Sequence, residues 1–259
     1  MSTSRNPVSP LGAPGARRTL IVTGGSRGIG AAVSRGAARS GYRVCINYRN
    51  GVEAAERLAD EIVSSGGDAF AWQADTSDER AVVAMFDEVA RRYGPLTDLV
   101  NNAGVSGGST RLADLDVSAL QETLAVNVMG YFLCCREAVR CMSTERGGAG
   151  GRIVNVSSVA AAHGSAGRRV HYAASKGAVN SLTIGLAKEV AREGIRVNAV
   201  SPGLVYTDFN EPGRIERLAD EVPIGRGGSP EEIANAILWL LNDDAGYVLS
   251  ANLVVSGGR

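Results

Sequence analysis

Only two lysines stand among the 27 basic residues of this 259-residue chain. One of them, Lys176, follows Tyr172 by four positions in Tyr172-Ala173-Ala174-Ser175-Lys176. On a helix that spacing stacks both side chains on one face. A tyrosine hydroxyl, with an ordinary pKa near ~10, is a poor base at neutral pH. A neighbouring ammonium favours the phenolate and brings that value down. Tyr172 is then a candidate general acid/base toward a substrate oxygen. The pair alone is equally compatible with an exposed helix face. Val156-Ser157-Ser158 ends an apolar stretch, and a hydroxyl there could hold the same oxygen; turn formation is the other use of such serines. Asn127 lies in the apolar run Leu124 to Leu133, where a buried amide must be hydrogen-bonded. It is either a satisfied core residue or the group that fixes a helix kink, or a water beside Lys176.

A second constellation is Thr23-Gly24-Gly25-Ser26-Arg27-Gly28-Ile29-Gly30, directly after the apolar stretch Arg18 to Thr23. A turn from strand to helix with glycines at 24, 28 and 30 lets the backbone approach a diphosphate where a side chain would block it. The helix beginning near Gly28 would turn its unpaired N–H groups toward the phosphates. A tight turn without ligand is the alternative. Gly24, Ser26, Arg27, Gly28, Ile29 and Gly30 are therefore candidate dinucleotide contacts. NAD sites carry an acid at the end of the second strand. Here that strand ends Asn47-Tyr48-Arg49-Asn50, with no acid. Arg27 and Arg49, with Asn50 beside the latter, suit a 2′-phosphate, which favours NADP(H) over NAD(H). Asp75-Thr76, after the third strand, offers a carboxylate for the adenine amino group, or a helix cap. The small residues of Asn102-Ala103-Gly104 would let a ribose lie against the backbone.

Strand and helix patterns alternate along the chain and supply the scaffold for these groups. Strands are expected at Arg18–Thr23, Arg43–Tyr48, Ala69–Ala74, Leu96–Asn101, Arg152–Val156, Ile195–Val200 and Asn252–Val255. Helices are expected from Gly28 to Ser40, Val52 to Ser65 and from Ser77 onward. Later ones run from about Ser118 to Met142, from Tyr172 to Arg192 and from Pro230 to Leu241. The fold class is α/β: one doubly wound Rossmann domain, about seven mostly parallel strands with helices on both faces. Residues 18–259 form the domain, and 204–228, with a short helix near Arg214–Leu218, is expected to be a lid at the ligand end of the sheet.

Composition removes several alternatives. Hydrophobic residues make up 44% and charged residues 21%, which excludes a disordered chain. The formal net charge is zero, and no basic tract marks a nucleic-acid binder. No apolar run reaches the ~18 residues of a membrane span. Residues 1–17, rich in proline and without an apolar signal core, are expected to be a disordered tail. Cys45, Cys134, Cys135 and Cys141 form no CxxC pair and are expected to be buried free thiols, with no metal site, in a cytoplasmic protein.

TGGSRGIG, NNAG, Ser158 followed by Tyr172-x-x-x-Lys176, and Ser201-Pro202-Gly203 together resemble the short-chain dehydrogenase/reductase family, in order and from about Arg18 to Arg259. The likeness extends to its bacterial NADP-dependent carbonyl and 3-oxoacyl reductases. It implies Ser158 over Ser157 as the catalytic serine, Asn127 in a water-mediated proton relay, and Lys176 on the nicotinamide ribose. It further implies Pro202, Gly203, Val205 and Thr207 around the nicotinamide, and Asn102, Ala103 and Gly104 on the adenosine side. A homotetramer or homodimer is implied too. The family's usual Thr-Gly is Leu249-Ser250 here. The activity expected is NADPH-dependent interconversion of a small-molecule carbonyl and its alcohol. Reduction of an imine or activated C=C bond is one alternative; a dinucleotide-sensing module without turnover is the other. His163, Arg168, Arg169 and His171 make the loop before Tyr172 basic, which suits either an anionic or polar substrate or a charged surface.

Overall fold

The computed structural model describes residues 17–210 and 213–259. All but the last residue of the expected tail fall outside it. Seven strands form one sheet: β1 (Thr19–Val22), β2 (Arg43–Tyr48), β3 (Asp68–Gln73), β4 (Asp98–Asn101), β5 (Gly151–Val156), β6 (Ile195–Pro202) and β7 (Asn252–Val255). Their order is β3-β2-β1-β4-β5-β6-β7, and every pairing is parallel. The order reverses between β1 and β4.

The helices are α1 (Gly28–Arg39), α2 (Val52–Ser64), α3 (Glu79–Tyr93), α4 (Val117–Leu124), α5 (Gly130–Met142), α6 (Ala160–His163), α7 (Val170–Val190), α8 (Arg214–Leu218) and α9 (Pro230–Leu241). Because successive strand residues point to opposite faces, Leu20 and Val22 meet α1, α2 and α9 through Val33, Leu58 and Ile237. Ile21 meets α3, α5 and α7 through Met85, Cys134 and Val190. Both faces are buried, so the strands read as unbroken apolar runs. The result is the expected doubly wound sheet.

Three helix starts are sealed by side chains. Asp78 caps α3, Asp116 caps α4, and Ser229 with Glu232 closes a reciprocal capping box on α9, where Pro230 takes the first position. The start of α1 is not one of them: Arg27 forms no side-chain cap, and its first turn has no acid.

The structure corrects three expectations. The helix over 118–142 is interrupted at Ala125–Met129 by a wider turn with i to i+5 geometry. Such a turn accommodates one extra residue, and Asn127 sits at its centre. The short helix α6 was absent from the sequence reading. Cys141, in the last turn of α5, is exposed, whereas Cys45, Cys134 and Cys135 are buried free thiols. At the departure noted before β7, Ser250 adopts a φ of 60°, the left-handed region that favours glycine. Among the described residues no helix is long and apolar enough to cross a membrane, and no His, Cys, Asp and Glu side chains cluster as a metal site.

Candidate active site

Open α/β sheets bind ligands beyond the strand C-termini, where the strand order reverses. Here that end opens into a cavity of about 730 Å³. Its lining includes Gly24, Arg27, Gly28 and Ile29 after β1, and Asn102, Ala103 and Gly104 after β4. Ser158 follows β5, Tyr172 and Lys176 come from α7, and Pro202, Gly203, Val205 and Thr207 lie at and beyond the end of β6.

The glycine turn is a cradle that side chains would close. Gly24 has a φ of +59°, and a Cβ on it would stand 3.0 Å from the Ala103 Cα. A Cβ on Gly30 would stand 2.2 Å from the Gly24 carbonyl oxygen. Asn102 pins the turn from β4: its Nδ2 donates to the carbonyls of Thr23 and Gly24, each at 3.0 Å. The uncapped, acid-free start of α1 leaves backbone N–H groups facing this cradle. A diphosphate fits there on three counts: bare Cα atoms, open donors and the positive end of a helix.

The second-strand end carries no carboxylate. Asn47 is spent on structure, accepting from Gly24 N at 3.2 Å and donating to Ala74 O at 3.0 Å. Arg27 is exposed and packs against the backbone of Gly51, at the start of α2, where a Cβ would meet its Nη2. Arg49 is otherwise engaged, with Nη2 3.0 Å from Glu122 and Nη1 3.8 Å from Asp75. Arg49, Asn50, Asp75, Thr76, Ser26 and Gly30 are not among the cavity's lining residues. Asp75 Oδ1 accepts from Ser77 N and Oγ at 2.9 and 2.7 Å. Thr76 packs under Gly130, where a Cβ would lie 2.9 Å from its hydroxyl.

The two serines separate into different tasks. Ser157 is buried and donates to the Lys176 carbonyl at 3.1 Å, tying the end of β5 to α7. Ser158 accepts from Ala160 N at 3.1 Å, and its hydroxyl acts on the Tyr172 phenol, favouring the phenolate. Burial raises the Tyr172 phenol above its ordinary value, against the pull of Ser158, Arg169 and Arg214. Lys176 Nζ donates to Val156 O at 2.8 Å and Tyr131 Oη at 3.2 Å, and lies 5.9 Å from the Tyr172 ring centre. The cations acting on the phenol are Arg169 and Arg214, and burial itself brings Lys176 down to about 7.

Asn127 does not line the cavity but backs it. Its Oδ1 accepts from Val105 N at 2.9 Å, while Nδ2 donates to Val105 O at 2.9 Å and Ser175 Oγ at 3.0 Å. Both amide hydrogens are used; one Oδ1 lone pair remains. That oxygen faces the bare Cα of Gly104, where a Cβ would lie 3.3 Å from it and 3.7 Å from Lys176 Nζ.

Of the basic loop, His163, Arg168 and Arg169 line the cavity, Arg168 exposed and Arg169 buried. His171 is buried away from it, its Nε2 3.2 Å from Gly107 O. Phe209, from the expected lid, stands 5.8 Å from the Tyr172 ring, centre to centre. The base of that segment is closed by Gly228 N to Leu204 O at 2.8 Å and Tyr206 N to Gly228 O at 3.0 Å. Sequence reasoning missed Tyr131, Phe209 and Arg214. Only their proximity in the fold marks them.

A doubly wound sheet with a phosphate cradle at its first strand–helix junction is the architecture of a nicotinamide-dinucleotide oxidoreductase. The comparisons narrow the class. A family profile described as enoyl-(acyl carrier protein) reductase matches residues 24–259. The chain is 49% identical to the uncharacterized oxidoreductase YgfF of Escherichia coli (strain K12), over 92% of this chain and 98% of that protein. It is 36% identical to 3-oxoacyl-[acyl-carrier-protein] reductase FabG of Staphylococcus aureus (strain Mu50 / ATCC 700699), over 93% and 97% of the two chains. A solved short chain dehydrogenase of Burkholderia cenocepacia J2315 in complex with NADP superposes with a TM-score of 0.86 at 34% identity, over 94% of this chain and 97% of that one. The chain belongs to the short-chain dehydrogenase/reductase family and is an NAD(P)-dependent oxidoreductase.

Proposed function

We propose that the protein interconverts a carbonyl and an alcohol with NADP(H), Tyr172 exchanging the proton. The observation that carries this reading is that Ser158 and Tyr172, whose phenol the serine hydroxyl pulls downward, line the same cavity as the glycine cradle. The dinucleotide supplies or accepts hydride at carbon. Gly24, Arg27, Gly28 and Ile29 would hold its phosphates, with Asn102, Ala103 and Gly104 beside the adenosine half. Pro202, Gly203, Val205 and Thr207 would flank the nicotinamide. Ser26, Gly30, Asn50, Asp75 and Thr76 act through the shape of the turn and its neighbours.

Ser158 offers its hydroxyl to the substrate oxygen. Tyr172, held protonated by burial, gives that oxygen its proton in the reducing direction and recovers it in the oxidising one. Lys176 keeps an N–H toward the cavity for a ribose hydroxyl. Asn127 Oδ1 and Lys176 Nζ face each other across Gly104, a gap suited to a relay water. Arg27 and the missing acid at the end of β2 support NADP(H); Arg49, held by Glu122 and Asp75, contributes less than its position in sequence implied. The segment 204–228 acts as the lid, carrying Phe209 and Arg214 over Tyr172.

The name FabG carries for its Staphylococcus relative, a 3-oxoacyl reductase, supports a carbonyl substrate. The description of the matching family profile favours a C=C bond as the second reading. A dinucleotide sensor has no need of the filled serine, tyrosine and lysine positions. Exposed Met129, Phe132 and Ile184 on one side, and Trp239, Tyr247 and Val254 on the other, support a homotetramer or homodimer. The test is NADPH oxidation by the purified protein against panels of ketones, 3-oxoacyl thioesters, imines and enoyl thioesters. Turnover confined to the carbonyl compounds and lost in Tyr172→Phe is the expected result. Turnover confined to enoyl compounds moves the assignment to the second reading.

A further inference from the structure

Lys176 is buried, with 3% of its surface exposed, yet none of the ion pairs formed by the described residues includes it. An ammonium removed from water without a counter-charge is costly. Its neighbours must supply partial negative charge in place of a carboxylate. From β5 comes the Val156 carbonyl, at 2.8 Å; from α5 comes Tyr131, whose Oη accepts from Nζ at 3.2 Å. The same hydroxyl donates its proton to Val156 O at 2.9 Å, which leaves its lone pairs toward the ammonium. Nζ stands 4.9 Å from the centre of the Tyr131 ring, so it meets the hydroxyl end of that side chain rather than the middle of its face.

Tyr131 has no other outlet. It is fully buried and is not among the residues lining the cavity. It is four residues beyond Asn127, just past the wide turn Ala125–Met129, so the interruption that turns Asn127 toward Val105 also sets the start of α5 beneath Lys176. The titratable groups near the pair are Tyr172 from α7 and Cys134 and Cys135 from α5, all of which burial keeps neutral.

We propose that Tyr131 is a positioning residue for Lys176: its hydroxyl and the Val156 carbonyl that it is bonded to hold two of the ammonium's donors, so that the remaining N–H is aimed into the cavity. With Val156 O and Tyr131 Oη each taking one donor, one of the three is left. That donor is the one the dinucleotide ribose and the relay water need. The assignment rests on the reductase reading for its purpose but not for its geometry.

The chain's two lysines make the test direct. With 13C-lysine incorporated, the full-length protein gives only two Cε resonances, and Lys188→Arg assigns them. Lys176 is titrated by NMR in wild type, Tyr131→Phe, which removes the hydroxyl, and Tyr131→Leu, which removes the ring as well. The expected result is a Lys176 midpoint lower by at least half a pH unit in both variants. In parallel, the high-pH limb of kcat/KM should move down by the same amount, with kcat falling about 5–10-fold, the loss of one aimed hydrogen bond. A merely structural role lowers thermal stability and leaves the Lys176 midpoint in place; that outcome overturns the proposal. Failure of the reductase reading shows separately, as wild-type protein without turnover, and leaves the NMR comparison intact.

Discussion

The two ends of the central strands each bury a charge, and they treat it oppositely. At the N-terminal end, Asp98 at the start of β4 is fully buried. Arg18 reaches it from before β1 with Nε at 3.0 Å, Arg152 from the start of β5 at 3.9 Å, and Thr97 donates to it at 2.6 Å. Arg152 is shared in turn with Asp243. At the C-terminal end of the same strands, Lys176 has a carbonyl and a phenol and no carboxylate. Burial pushes the Asp98 carboxyl up, with two guanidinium groups opposing it; burial takes Lys176 down with nothing to oppose it. A compensated charge is locked and serves cohesion. An uncompensated one titrates near neutrality and waits for a ligand to complete it.

If that contrast is right, substitutions at the two ends should diverge in what they damage. The largest effect is expected at the lower end. Asp98→Ala leaves Arg18 and Arg152 facing each other without their carboxylate, and should destabilise the chain by about 3–5 kcal/mol, the usual cost of breaking a buried pair from one side. Urea unfolding measures it. The surviving folded fraction should keep its turnover number within about twofold, since additive effects are the norm for distant sites. A stable Asp98→Ala protein with impaired turnover would reverse the roles given to the two ends.

At the upper end the damage falls on rate. Tyr172→Phe should lose at least ~10² in kcat, as for removal of a general acid, while calorimetric affinity for NADPH stays near wild type. Stability should change little, because the lost partner, Ser158, keeps its bond to Ala160 N.

Lys176→Met should change stability with the opposite sign to Asp98→Ala. In the folded chain Lys176 titrates at about 7, against ~10.4 when unfolded. Between those values the unfolded chain holds the extra proton, so wild-type stability rises with pH across that window. The burden of the lysine is therefore fullest below about pH 7 and gone above ~10.4. The methionine variant should be more stable than wild type by about 2 kcal/mol at pH 6, after allowing for lost hydrogen bonds. The gain should shrink toward pH 10, and the variant should be nearly inactive. Thermal melts of both proteins at several pH values check the trend.

How much of this was legible beforehand follows from the range of the interactions. The alternating elements, the glycine cradle and the Ser158–Tyr172–Lys176 set depend on local spacing, and the chain carries them openly. Tyr131 is hidden in an apolar run because its hydroxyl has a purpose only once β5 lies beside it. The wide turn at Asn127 leaves the hydrophobic pattern on either side unbroken. Arg49 reads as a phosphate ligand until folding brings Glu122, 73 residues away, to its guanidinium. Arg169 and Arg214 meet at Tyr172 for the same reason. Arg27, by contrast, lies inside the glycine turn itself and lines the cavity. Arg27→Ala should cost about tenfold in selectivity for NADPH over NADH, one charge-assisted contact. Arg49→Ala should cost less than about threefold, its exposed ion pairs being weak. Ratios of kcat/KM for the two dinucleotides decide it.

The smallest effect concerns strain that serves no ligand. Ser250 precedes β7 on the side of the sheet away from the cavity and holds a φ of 60°. Its N–H is fixed to Val197 O at 2.9 Å, so the backbone cannot relax without breaking that bond. A left-handed non-glycine residue costs roughly 1–2 kcal/mol. Glycine removes that cost but gives back roughly 0.5–1 kcal/mol of chain entropy. Ser250→Gly should therefore stabilise the protein by about 0.5–1 kcal/mol with turnover unchanged. Relief at Lys176 abolishes activity; relief at Ser250 should leave it alone. Equal losses of turnover in the two variants would mean that the lower end is coupled to the chemistry, and that the division of labour along the strands does not hold.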